Sequence, residues 1–130
     1  VVCFSGDGSL LMNIQELVTA VEENANVKIV LCNNNSLGMV VQQQDLFYGK
    51  RVFASNYSRK VDFVSVAKGF GMNAFDLGEC SDPSAALRDA LRTPGAALIN
   101  VPIDAAHHVY PMVPPGAANK EMLMGRGAMP

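Results

Sequence analysis

The sequence predicts an α/β domain built on an open parallel sheet with flanking helices. Three observations point there. Val1–Phe4 and Val27–Cys32 are apolar runs of strand length with a helix-period pattern between them. Strand and helix signals keep alternating along most of the remaining chain. The composition, 49% hydrophobic and 17% charged over 130 residues, supplies one packed core and excludes a disordered chain.

The elements follow in order. Val1–Phe4, stopped by Ser5-Gly6, reads as a buried strand. Leu10, Leu11, Ile14, Leu17, Val18 and Val21 fall on one face of a helix from Leu10 to Glu23, with Ser9 as its N-cap. Val27–Cys32 is nearly continuous and rich in β-branched residues, a second buried strand. Strand, helix and strand in this span make a βαβ unit, so the two strands should run parallel. Ser36–Gln44 fits a short helix, and 45–60 is irregular and aromatic-rich. Asp62 fits the N-cap of a helix through Val66 and Ala67 that ends at Gly69 or Gly71. Asn73–Leu77 is a third strand. Asp82-Pro83 opens a helix with Ala86, Leu87, Ala90 and Leu91 inward, and Pro94-Gly95 stops it. Ala96–Ile103 is a fourth strand. The α/β domain is thus expected over 1–104 and a tail over 105–130, with Pro111, Pro114, Pro115 and Gly116.

Charge and composition narrow the function classes. Net charge is −2 and no cationic run exceeds Lys50-Arg51 or Arg59-Lys60, so no nucleic-acid surface is expected. No apolar stretch reaches membrane-spanning length. Cys3, Cys32 and Cys80 form no CxxC pair, and Cys3 and Cys32 lie inside apolar runs. They read as buried, reduced thiols of a cytoplasmic protein. The start at Val1-Val2, directly in a strand, reads as a fragment of a longer protein.

Gly6-Asp7-Gly8-Ser9 ends the first strand and Asn33-Asn34 ends the second, with Asp7 and Asn34 separated by 27 residues. Both lie at the carboxyl ends of parallel strands, where open α/β sheets bind ligands. A carboxylate and an amide oxygen suit Mg²⁺, which takes hard oxygen donors and shares them with phosphates. Glycines allow close backbone approach, and N–H groups at the next helix start can face a diphosphate. No Lys or Arg occurs before Lys28, and the GK[ST] of a P-loop is missing. A diphosphate here must be met by metal and backbone dipoles. The plainer alternative is two unrelated turns bounding a βαβ unit.

This constellation resembles the thiamine diphosphate (ThDP) motif, GDG followed by a spacer and NN. The resemblance extends through Phe4–Leu10, Asn13–Leu17, Leu37-Gly38-Met39-Val40, Gln42–Gln44, Leu46-Phe47-Tyr48 and Val109–Ala117. Together these look like the C-terminal part of the acetolactate synthase (acetohydroxyacid synthase) large-subunit family. The resemblance implies the diphosphate-binding domain of the ThDP-binding fold, truncated at its N-terminus. It implies Mg²⁺- and ThDP-dependent condensation of pyruvate with pyruvate or 2-oxobutyrate, with loss of CO₂, on the path to isoleucine and valine. It also implies FAD in the full-length enzyme, a homodimer of catalytic subunits and a small regulatory subunit.

Residue by residue, the resemblance makes Asp7 and Asn34 side-chain metal ligands and Ser36 a backbone-carbonyl ligand. Gly6, Gly8 and Ser9 become the diphosphate cradle, and Leu37, Gly38 and Met39 the wall along the cofactor. Met39 and Gln43 fall at the pocket for the second substrate. Gln43 departs from the Trp that many relatives carry, which puts a strong preference for 2-oxobutyrate in doubt. No catalytic residue is assigned, because the glutamate that activates the aminopyrimidine comes from another domain. Other ThDP enzymes of the pyruvate oxidase or glyoxylate carboligase type, and a non-catalytic isolated fragment, are the competing readings. Glu16 and Glu22 read as helix surface, His107 and His108 as a solvated tail, Lys50-Arg51 as a solvated loop, and Met12 and Met72 as packing.

Overall fold

A computed structural model describes residues 1–125, so residues 126–130 of the expected tail lie outside the described residues. The strands are β1 (Val2–Gly6), β2 (Lys28–Asn33), β3 (Asn73–Asp76) and β4 (Ala97–Pro102). The helices are α1 (Asp7–Met12), α2 (Glu16–Glu22), α3 (Gly38–Phe47), α4 (Phe63–Gly69) and α5 (Pro83–Arg92), with a 3₁₀ turn at Asn119–Glu121. The sheet has the order β1-β2-β4-β3, and every pair is parallel. The expected fold class is therefore the observed one. Among the described residues no helix is long and apolar enough to cross a membrane.

Alternation along the two central strands divides the core in two. Leu31 and Leu98 point to one face and pack with Leu10, Leu17, Phe63, Ala67 and Met72 from α1, α2, α4 and the turn after α4. Val30 and Ile99 point to the other and meet Ala90 and Leu87 of α5. Leu31, Leu98 and Ile99 are wholly buried, and burial of such a side chain is worth roughly 1.5–3 kcal/mol. Asp62 caps α4 by accepting from the Ser65 N–H (2.9 Å), and Asp82 caps α5 through the Ala85 N–H (2.9 Å). The Ser65 hydroxyl and N–H hold the Asp62 carboxyl below its ordinary pKa.

Several expectations are corrected. β1 is an edge strand with exposed faces, not a buried one: Val2 and Phe4 are 50% and 74% exposed. Phe4 lies in one row with Val30, Ile99 and Phe75, but α5 covers only the β3 and β4 end of that row. Cys3 points to the opposite face of this edge strand and is exposed as well, while Cys32 and Cys80 are half-buried; all three thiols are free.

The single helix over Leu10–Glu23 is two helices. α1 starts at Asp7 with Gly6 at its N-cap, so Ser9 is no cap. Around Asn13 the bonds tighten to i→i−3 steps, with Glu16 N donating to Asn13 O (3.0 Å) and Leu17 N to Ile14 O (3.2 Å). Leu10 and Leu17 stay buried, whereas Leu11 and Val18 turn outward. Met12 and Leu91 are exposed, so neither packs as expected, while Met72 is core.

The segment after Asp104 returns to the domain. Met112 pairs with Leu123, which is buried. His108 is not solvated: its side chain is 5% exposed and sits 3.6 Å from the Asp45 carboxylate of α3.

In the full-length protein, Leu98→Ala is expected to lower stability by about 2–5 kcal/mol. Leu91→Ala, on the exposed side of α5, should stay within about 0.5 kcal/mol. Denaturant midpoints of the two variants check this, and equal losses would contradict the core assignment.

Candidate functional site

The parallel register sets Gly6 beside Cys32, so the two motif segments leave the sheet together at its carboxyl end. Gly6 is extended (φ −83°, ψ 161°) and delivers Asp7 as the first residue of α1. Asp7 is buried, 3% exposed. Its Oδ1 accepts from the Gly8 N–H (2.8 Å) and its Oδ2 from the Ser36 N–H (3.2 Å). The same Ser36 N–H also donates to Asn34 Oδ1 (3.1 Å). One backbone donor thus draws the two expected ligand oxygens to a common point. Each oxygen keeps a further lone pair for a cation.

The three consecutive asparagines divide the work of building that point. Asn33 roots the turn in the sheet, donating to Asn100 Oδ1 (3.1 Å), whose amide in turn donates to Asp76 Oδ2 (2.9 Å). Its own Oδ1 accepts from Asn35 N–H (3.1 Å). Asn35 takes a left-handed conformation (φ 56°), which Asn tolerates better than most residues. That reversal carries Ser36 back beneath Asn34.

Ser36 then pairs antiparallel with Asn56. The flanking residues carry the bonds, Leu37 N to Ser55 O (2.7 Å) and Tyr57 N to Asn35 O (3.1 Å). In such a pair the central residue's N–H and C=O face away from its partner. For Ser36 the N–H faces Asp7, and the carbonyl lies on that same side, as the expected backbone ligand would. Ser36 Oγ is buried without a partner among the described residues.

At two glycines an added Cβ would meet a side chain of the site. A Cβ on Gly38 would stand 2.5 Å from Asn34 Nδ2, and one on Gly8 would stand 2.7 Å from Leu37 Cδ2. Gly6 has open space around it, and Ser9 is exposed beside it. Leu37, Met39 and Gln43 are also exposed at this end, with Met39 53% accessible. Met39 and Gln43 share one face of α3 at i, i+4 spacing.

α3 is held from both sides by the glutamines next to Gln43. Gln42 is buried; its amide donates to Val109 O and accepts from Val109 N, both at 2.8 Å. Gln44 donates to Phe53 O (3.0 Å) and accepts from Phe53 N (3.3 Å) and the Ser55 hydroxyl. Of the three, only Gln43 is free of these clamps and faces outward.

Tyr57 belongs to the site although sequence reasoning passed over it within the irregular aromatic stretch. Burial, and after it the Asp7 carboxylate, raises its pKa above the ordinary value. Only the bridge between Ser36 and Asn56 brings it there, and no local pattern encodes that bridge. A cleft of about 720 Å³ adjoins the asparagine turn, lined by Asn33, Asn34, Asp76 and Asn100 among others.

Comparison with known proteins identifies the family. Residues 1–101 match the family described as thiamine pyrophosphate enzyme, C-terminal TPP binding domain. The chain is 57% identical over 123 residues to the acetolactate synthase isozyme 1 large subunit of Escherichia coli, covering 95% of this chain and 22% of that protein. Identity is 43% to isozyme 2 of the same organism, with the same coverage. It is 42% to the chloroplastic acetolactate synthase 1 of Oryza sativa, at 95% and 20%. The chain therefore spans about a fifth of the length of these relatives.

Gly38→Ala in the full-length protein should push the Asn34 amide from its place. On the expectation that Asn34 is a metal ligand, Mg²⁺-dependent cofactor affinity should fall by about ten- to a hundredfold, the usual cost of disturbing a metal ligand's support. Calorimetric titration checks this; unchanged affinity would show that Asn34 is not held against Gly38.

Proposed function

The chain belongs to the thiamine pyrophosphate (thiamine diphosphate) enzymes as their C-terminal TPP-binding domain, and from that premise we propose that it is the diphosphate- and Mg²⁺-binding part of an acetolactate synthase large subunit. The observation that carries this reading is the Ser36 N–H shared by Asp7 Oδ2 and Asn34 Oδ1. It brings together one carboxylate oxygen and one amide oxygen; with the Ser36 carbonyl these would make a donor set of hard oxygens suited to Mg²⁺, with phosphate and water completing the octahedron. The names of the similar proteins supply the choice among ThDP enzymes.

In this reading Asp7, Asn34 and the Ser36 carbonyl hold the metal. Gly6, Gly8 and Ser9 leave room for the diphosphate, and Leu37, Gly38 and Met39 line the cofactor's middle. When bound, the cofactor supplies an electron sink for loss of CO₂ from a 2-oxo acid. This chain's residues bind and orient; the activating glutamate lies elsewhere. The whole enzyme would join pyruvate to pyruvate or 2-oxobutyrate, serve isoleucine and valine biosynthesis in the cytoplasm, and carry FAD outside this domain. It would act as a homodimer of large subunits. A small regulatory subunit is implied by the words "large subunit" in relatives' names.

Asp7→Ala tests the metal site. Loss of one member of a buried charge pair costs about 3–5 kcal/mol, which here means ThDP affinity falling more than a hundredfold. Titration of the full-length variant with ThDP and Mg²⁺ measures it, and parental affinity would refute the assignment.

Gln43→Trp tests the acceptor pocket. The two acceptors differ by one methylene, worth about 0.8 kcal/mol on burial, and pockets discriminate at that level by roughly 1–3 kcal/mol. An indole wall gives the methylene a contact that a solvated amide does not, so the variant should favour 2-oxobutyrate. A product ratio with both acceptors present that does not move would place Gln43 outside the pocket.

A further inference from the structure

We propose that the Tyr57 hydroxyl donates a hydrogen bond to an anionic oxygen of the cofactor's diphosphate. The inference rests on the metal–diphosphate reading of this site and adds a ligand that the motif does not contain.

The Tyr57 hydroxyl is buried and has no hydrogen-bond partner among the described residues. Buried hydroxyls are rarely left so, because the desolvated donor is costly unless something accepts from it. Its place is fixed: a Cβ built on Gly8 would lie 3.4 Å from this oxygen. The hydroxyl therefore stands directly over the glycine turn. Asp7 is close enough for its charge to act on Tyr57, yet the Asp7 oxygens take their hydrogen bonds from Gly8 and Ser36. The tyrosine backbone is pinned twice to Asn35, by Tyr57 N to Asn35 O (3.1 Å) and by Asn35 Nδ2 to Tyr57 O (3.3 Å). The residue is thereby built into the same turn that places Asn34 and Ser36.

The chemistry of the anion supplies the other half. Diphosphate oxygens accept hydrogen bonds and donate none, so they need donors. The first cationic side chain in the sequence, Lys28, is buried at the opposite end of β2 and donates to Asn26 Oδ1 (2.7 Å) and the Gly95 carbonyl. Close to the glycine turn, the Gly8 N–H is already taken by Asp7. A neutral phenol suits this position. It donates without competing with the metal for charge.

The test is Tyr57→Phe in the full-length enzyme, titrated calorimetrically with ThDP and, separately, with inorganic diphosphate, both with Mg²⁺. Loss of a hydrogen bond to a charged acceptor predicts affinity lower by roughly ten- to a hundredfold for both ligands. The cofactor-free thermal midpoint should stay level or rise, since Phe removes an unpartnered hydroxyl. Unchanged affinity for both ligands, alongside an Asp7→Ala variant that no longer binds, overturns this inference and leaves the metal site standing. A loss for ThDP alone places the contact elsewhere on the cofactor and overturns it too. A parallel fall in the cofactor-free midpoint would make Tyr57 a structural residue. Parental binding by Asp7→Ala as well would overturn both readings.

Discussion

A backbone N–H at Ser36, shared between Asp7 Oδ2 and Asn34 Oδ1, is the constraint around which this domain is arranged. Bringing a buried carboxylate and an amide oxygen together is unfavourable unless a donor lies between them. The parallel register of β1 and β2 brings the two segments to the same end of the sheet. The left-handed Asn35 then turns Ser36 inward, and the bridge to Asn56 fixes which way its peptide faces. Each step is local, but the convergence exists only when all three hold.

The sheet serves this arrangement by making its carboxyl end rigid. Leu31, Leu98 and Ile99 are wholly buried between helices on the two faces. The hydrogen-bonded chain from Asn33 through Asn100 to Asp76 extends that rigidity across three strands. α3, which presents Met39 and Gln43, is a separate piece with weaker ties to the core. It is held instead by side-chain amides paired to backbone, Gln42 to Val109 and Gln44 to Phe53. The division suits a binding domain: a fixed meeting point for the Asp7 and Asn34 oxygens, and beside it a helix set by contacts from two loops.

Much of this was legible in the sequence because the relevant signals are local. The βαβ unit, the two aspartate caps and the Asp7 and Asn34 positions each follow from a few adjacent residues. What was hidden depends on contacts distant in sequence. Apolar β1 reads as buried, yet burial needs a cover, and α5 reaches only β3 and β4. Leu11 and Val18 fit the helix period, but the tightened turn at Asn13 rotates them out. Tyr57 and His108 sit in stretches without periodicity, and the Tyr57 hydroxyl and the His108 side chain become buried through the Ser36–Asn56 bridge and the return of the chain past Val109. The glutamine run shows the same limit: three identical neighbours have three different surroundings, and only the fold distinguishes them.

The most direct test of the central claim is the position of the metal itself. Crystals of the full-length enzyme grown with ThDP and Mn²⁺ in place of Mg²⁺ would reveal it by anomalous scattering. The account predicts a peak within bonding distance, roughly 2.1 Å, of an Asp7 carboxylate oxygen, Asn34 Oδ1 and the Ser36 carbonyl oxygen together. A peak in the cleft beside Asp76 and Asn100, with Asp7 still bonded only to the Gly8 and Ser36 N–H groups, would contradict it.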